Sequence, residues 1–459
     1  MNLFRIFKLS LAFLLVVTSM FGQEQTLKDT ISMSIADAQK YALEFNRLVM
    51  ASKIDVELSK KKVKETTAIG LPQLKVTADY QHQFVVPELS FGGYYNFQAL
   101  PPNDYVTGSQ LANSYVELPP VQLGVKDNTT FNFVVSQLIF SGEYLVGLQA
   151  IKIYNELSEQ SLMVNELRTK ESVANSYYVV LVLDENIAIL KESRDLILKT
   201  LNDIGKMREQ GYTEDTDEDQ MKINLANLET LILSFEEQRK ISLKLLKLQI
   251  GMEIEQPLKL TDNIENIITE SNLVYLSEPE FVLENSPTYQ LLLISEKLKM
   301  ASLKREKSTF LPTLAGFYQH QEKTNEPAFN FMPKDIIGIS LSFPIVTSGQ
   351  RIYRVQQAKL ELDKVRMNNE QASRGLTLEF ETALLTYQTA YKNYLTNKQS
   401  MELSKKIYQK NNIKYTEGII SSLDLTQSQD QYLTAQRNYY TSVVNFLNSK
   451  VALDRILSK

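Results

Sequence analysis

The chain has 459 residues, and its 49 Lys and Arg against 54 Asp and Glu leave no basic excess for a nucleic-acid partner. It has no cysteine and only two histidines, His82 and His320, which removes disulfides, thiolate metal sites and cysteine nucleophiles and leaves histidine catalysis almost nothing to work with. Its 16 Gly and 13 Pro are few and clustered, a pattern that favours long helices over a loop-rich α/β enzyme.

At the N-terminus, Arg5 and Lys8 precede the apolar run Leu9 to Met20, too short to span a bilayer as a helix. Residues 1–22 read as a secretory signal peptide cleaved after Gly22, with an uncleaved anchor as the alternative. No cysteine follows the run, so a lipid-anchored terminus is excluded. After residue 23 no run of about 18 apolar residues appears. A mature protein that enters a membrane must then do so as a closed β-structure.

A helix is predicted from about Ser34 to Ala68. The next segment alternates, with Val76, Ala78, Tyr80, His82 and Phe84 on one face and Lys75, Thr77, Asp79, Gln81 and Gln83 on the other, so a strand is predicted at about 75–84. Residues 85–128, rich in Pro, Gly, Tyr and Asn, read as a long loop. A second strand follows at about 130–139, with Phe131, Phe133, Val135 and Ile139 on one face. Residues 143–210 contain neither Pro nor a turn cluster and predict one helix of about 100 Å at 1.5 Å per residue. A shorter helix is expected over 216–250, then a linker over 252–277. The same order follows again: a helix from about 278 to 309, strands at about 314–321 and 336–343, a long helix at 349–417 and a final helix at 421–457. The long helices carry heptads of large side chains: Leu183, Leu190, Ile197 and Ile204 in one, Phe380, Tyr387, Tyr394, Met401, Tyr408 and Tyr415 in the other. Such seams mean coiled-coil-like packing between helices.

The two halves read as one unit copied once, over 23–251 and 278–459. Leu71-Pro72-Gln73-Leu74 recurs as Leu311-Pro312-Thr313-Leu314, and Tyr80-Gln81-His82-Gln83 recurs as Tyr318-Gln319-His320-Gln321. Ser141-Gly142, Gly211 and Asp217 recur as Ser348-Gly349, Gly418 and Asp424, each at an offset of 207 residues. The first half carries about 31 extra residues, all within the loop at 85–128. Four strands of about ten residues, each with one apolar face, suit a transmembrane barrel, and neighbouring chains would have to complete it.

On these motifs and their common order, the chain resembles the TolC-type outer-membrane efflux proteins over nearly all of its mature length. The resemblance implies a mainly α fold with a small β part. Three chains would close one 12-stranded barrel in outer-membrane lipid of a Gram-negative bacterium, continued as a hollow helical barrel through the periplasm. The stretch 252–277 would lie in an equatorial belt. The implied function is the exit duct of a tripartite efflux system, working with a periplasmic adaptor and an inner-membrane pump and passively conducting small toxic molecules. The exit channel of a type I protein secretion system is an alternative on the same fold. A periplasmic coiled-coil scaffold without a pore is a reading of another class.

By position in the family, the turns joining long and short helices form the periplasmic tip. Asp217, Asp424, Glu214, Asp215, Gln220 and Gln427 would line its aperture, and Gly211, Tyr415, Gly418 and Leu423 would meet the adaptor. An acidic mouth of this kind attracts cations. The acidic run Glu214 to Asp219 lacks the spacing of a calcium loop. His82 and His320 read as interfacial residues beside Tyr80 and Tyr318 rather than metal ligands. No Walker loop, dinucleotide glycine pattern, H-E-x-x-H or nucleophile elbow occurs. The chain is therefore expected to be no enzyme and to need no cofactor or metal.

Overall fold

The structure, a computed structural model, describes residues 30–100, 107–210, 215–272, 280–327 and 330–458; the expected signal peptide lies outside them. It is mostly helical with some strands. In chain order the elements are β1 (Ile31–Met33), α1 (Ile35–Phe45), α2 (Arg47–Ala68), β2 (Gln73–His82), β3 (Glu88–Leu89), β4 (Gly93–Tyr95), α3 (Gly108–Asn113), β5 (Tyr115–Glu117), β6 (Val121–Gln122) and β7 (Asp127–Ser141). After these come α4 (Gly142–Glu209), α5 (Asp215–Ile250), β8 (Leu258–Leu260), α6 (Ile264–Asn272), α7 (Pro287–Ser308), β9 (Thr313–Lys323), β10 (Asp335–Ser342), α8 (Gln350–Thr416) and α9 (Ser422–Ile456). The chain divides into two compact units, and α2, α4, α7 and α8 each run through a unit boundary.

One unit holds residues 56–158 and 292–369, built around an antiparallel sheet in the order β10-β9-β7-β2. The residue pairs Tyr80↔Thr129 and Val76↔Phe133 set the first hairpin, and Tyr318↔Ile337 and Leu314↔Leu341 set the second. The hairpins join through β7 and β9, with Phe133 opposite His320 and Val135 opposite Tyr318. Ile139 is an extra residue at a bulge between Leu138 and Phe140. The bulge accounts for a one-residue change in the spacing expected of a repeat: Asp127 and Asp335, each opposite a histidine of its hairpin, are 208 residues apart, whereas Ser141 and Ser348 are 207 apart. The segment expected to be a plain loop instead carries two short antiparallel ribbons, β3 with β6 and β4 with β5, and α3 capped by Thr107.

The other unit holds residues 30–55, 159–291 and 370–458 of the described chain. Its core gathers Ala38 and Ala42 of α1, Val173, Tyr177 and Leu181 of α4, Leu246 and Ile250 of α5, Ile264 and Ile268 of α6, and Val443, Phe446 and Leu447 of α9. The heptad seams supply this core with Tyr387 and Tyr394 and build two smaller clusters, one with Leu190 and Ile197 and one with Ile204, Tyr408 and Tyr415. Tyr394 stacks on Phe446 and Tyr408 on Tyr432, at ring-centre distances of 5.6 and 5.9 Å.

Two features differ from the sequence expectation. The helix expected from Ser34 to Ala68 is two helices, broken at Asn46, whose extended backbone ends α1 while its Oδ1 accepts from the amides of Leu48 and Val49 and caps α2. The expected linker contains β8 and α6, and β8 pairs in parallel with β1, with Met33 opposite Leu260.

Candidate functional site

The turns expected at the tip belong to the helical unit. Gly211 and Glu214 lie outside the described residues. In the second hairpin α8 ends at Thr416, and Gly418 turns the chain at φ +72°, a left-handed conformation that favours glycine. Ser421 then caps α9: its Oγ donates to Asp424 Oδ2 at 2.7 Å, and the Ser421 and Asp424 amides complete a capping box. Asp424, expected at the aperture, thus also holds the start of α9, and the Ser421 bonds hold its carboxyl below the usual range. Its side chain stays exposed, as do Leu423, Gln427 and Gly418. Tyr415 faces the other way. It is buried with Ile204, Met221, Tyr408, Leu425 and Tyr432, so in this conformation it packs the hairpins together.

In the first hairpin Asp215, Asp217 and Glu218 occupy the opening turn of α5, where the helix dipole favours carboxylates. Asp217 is half-buried, and its charge adds to the effect of burial in pushing the Tyr415 phenol up to about 12. Gln220 donates to Asn224 at 3.3 Å, and Asn224 donates to Thr426 of α9 at 2.9 Å, so Gln220 belongs to a chain of polar contacts linking α5 to α9. A contact absent from the sequence reading is Arg208 to Glu218 at 2.7 Å, which ties the end of α4 to the start of α5. Lys222 also pairs with Glu218, at 2.7 Å, and their mutual attraction raises the lysine pKa. The only sequence signal for this cluster was the acidic run, because its basic partners lie outside it.

The sheet of the other unit separates two chemistries. One face carries Leu74, Val76, Ala78 and Tyr80 of β2, Phe131, Phe133 and Val135 of β7, Tyr318 of β9, and Ile337, Ile339 and Leu341 of β10. Ile339 is 73% exposed and Ile337 84%, although apolar side chains of this size ordinarily seek cover. Thr77, Asp79, Asn132, Gln319, Gln321, Ser340 and Ser342 occupy the other, mainly polar face, interspersed with Val134, Phe317 and Ile336, and there Gln321 donates to Asn132 at 2.9 Å. Both edges of the sheet, β2 and β10, lack a partner strand within the described chain.

The two histidines occupy matching places at the end of each hairpin. Asp127 accepts from the Tyr80 hydroxyl at 2.8 Å and contacts His82 Nδ1 at 2.6 Å; Asp335 accepts from Tyr318 at 2.6 Å and contacts His320 Nδ1 at 2.8 Å. The Gln83 amide donates to the Lys126 carbonyl, and the Gln321 amide to the Lys334 carbonyl, each at 2.7 Å. The same lock closes a loop of over 40 residues and one of about a dozen. No group of three or more metal-binding side chains occurs among the described residues.

Residues 280–459 match the family model described as outer membrane efflux protein. No curated protein matches the chain in sequence. Among solved structures, the Campylobacter jejuni CmeC outer membrane channel is similar at a TM-score of 0.70 and 16% identity, covering 92% of this chain and 85% of that one. The outer membrane protein VceC from Vibrio cholerae gives 0.69 and 14%, covering 92% and 95%. The open state of the Neisseria gonorrhoeae MtrE outer membrane channel gives 0.70 and 14%, covering 92% and 88%. At these identities the likeness establishes the fold, which is that of the outer-membrane channels.

Proposed function

We propose that the chain is the outer-membrane exit duct of a tripartite efflux system in a Gram-negative bacterium, conducting small toxic molecules passively from an inner-membrane pump and a periplasmic adaptor to the outside. The observation that carries this reading is the sheet: four strands with one exposed apolar face, one polar face and two open edges. In lipid such a sheet is stable only when its edges are paired, and closure into a barrel pairs them all. The apolar face then meets hydrocarbon and the polar face lines water. The match of residues 280–459 to efflux proteins and the fold of the whole described chain support the same conclusion.

Three copies would supply twelve strands, and the repeat relation supplies the register between them. Within the chain the second strand of the first hairpin pairs with the first strand of the second, Phe133 opposite His320 and Val134 opposite Gln319. Carried over by the strand equivalences, Leu341 would face His82 of the next copy, and Ser342 would face its Gln81. The segment after β10 supports this pairing. Ile345 and Val346 are 84% and 83% exposed and outside any strand, whereas the equivalent Gln137 and Leu138 are paired with β9. The chain has no native cysteine, so Gln81→Cys combined with Ser342→Cys gives a clean test. Oxidation should yield covalent dimers and trimers from membranes, with neither single variant cross-linking beyond dimer. Monomer alone under oxidising conditions would refute the edge pairing.

The aperture residues and the adaptor-facing tip belong to this proposal. Leu423 and Ile419, exposed apolar side chains beside the Gly418 turn, suit a docking partner, and the acidic turn of α5 with Asp424 suits a cation-favouring mouth.

A further inference from the structure

Helix α9 has two unlike faces at mid-length. Tyr440, Val443, Leu447 and Val451 point into the core that α6 and α5 help to build. The opposite stripe, spaced by three and four residues, is open. With parts of α4 and α8 it forms a groove of about 870 Å³, within the range of small-molecule clefts. Six asparagines from three helices line it: Asn175, Asn393, Asn397, Asn438, Asn445 and Asn448. Leu385, Ala390 and Ala452 give it a partly apolar floor, and its lining contains no aromatic side chain. Its one charged member, Glu171, shares Arg455 with Glu379, at 2.8 and 2.6 Å.

We infer that this groove is a binding surface for a neutral polyhydroxylated solute, a short oligosaccharide. A carboxamide offers a donor and an acceptor together, so a row of them accommodates hydroxyls whichever way these point. The apolar floor meets the C–H faces of a sugar ring while the amide rim meets its hydroxyls. With a single carboxylate held at its edge by Arg455, the lining is dominated by neutral amides and hydroxyls, which suits an uncharged solute. The inference rests on the duct reading in one respect: one side of α9 is covered by packed elements, so the bare side is the one that would face the bore.

The test uses saturation-transfer NMR on the assembled full chain in a detergent without sugar groups, with maltotetraose as probe. Transfer to the ring protons is expected at millimolar probe. In the double variant Asn393→Ala with Asn445→Ala, affinity should fall about fivefold, as for the loss of two neutral hydrogen bonds. Both residues are exposed on helix surfaces, where alanine is a good helix former, so folding should persist and a circular-dichroism melt checks it. Absence of transfer, equal transfer to polyethylene glycol of matched size, or undiminished transfer in the variant would overturn the inference. Single-channel conductance of the same preparations judges the duct separately. Conducting protein that does not bind maltotetraose sinks the groove alone, and binding without conduction sinks the duct alone.

Discussion

In the proposed duct Asp424 would serve two ends. Its carboxylate accepts from Ser421 and fixes the first turn of α9, yet it remains exposed beside the Gly418 turn and keeps its charge. Asp217 sits in the equivalent place of α5, half-buried, with its charge felt by Tyr415. Asparagine at 424 retains an oxygen for the bonds from Ser421, and at either site it removes the charge. The double variant Asp217→Asn with Asp424→Asn should therefore keep its fold and lose a large part of its cation preference in planar bilayers. Reversal potentials identical to wild type would place the charge filter elsewhere. The sequence revealed the acids but not the ties that hold them. Arg208 and Lys222 flank the acidic run, and nothing in their spacing distinguishes the pair with Glu218 from ordinary solvated charge.

At the scale of the strand, Ile339 and Ser340 are adjacent in sequence and point to opposite faces of β10. Ile339→Arg places a cation on the apolar face, at a cost of about 2–4 kcal/mol if it lies near the bilayer mid-plane. That variant should fail to accumulate as heat-resistant oligomer in the outer membrane. Ser340→Arg, on the polar face, should assemble normally and change only conductance. Equal behaviour of the two variants would contradict the assignment of faces. These faces were legible in the sequence because a strand with one apolar side writes a period of two. The long helices were legible through their heptads and the scarcity of Gly and Pro. What escaped was set by partners distant in the chain. Strand β1 is three residues long and exists because β8, over 200 residues later, pairs with it. The break at Asn46 carries neither Pro nor Gly, and its amide donates to the Gln249 carbonyl, far along the chain. The ribbons of the first long loop have strands of two or three residues, too short for periodicity to register.

For the whole molecule, the central claim is that copies of this chain enclose a hollow duct. Among the described residues the chain leaves two sheet edges unpaired and a row of large apolar side chains exposed, and the proposed assembly in a membrane would resolve both. The match of residues 280–459 to outer membrane efflux proteins accords with a channel, and the sequence repeat supplies the register such an assembly would use. The most direct measurement is electron microscopy of the mature protein extracted from outer membranes in detergent. The account predicts a hollow particle with three-fold symmetry, a short barrel at one end and a helical tube of about 100 Å. A solid rod, or a particle without a central channel, would contradict it.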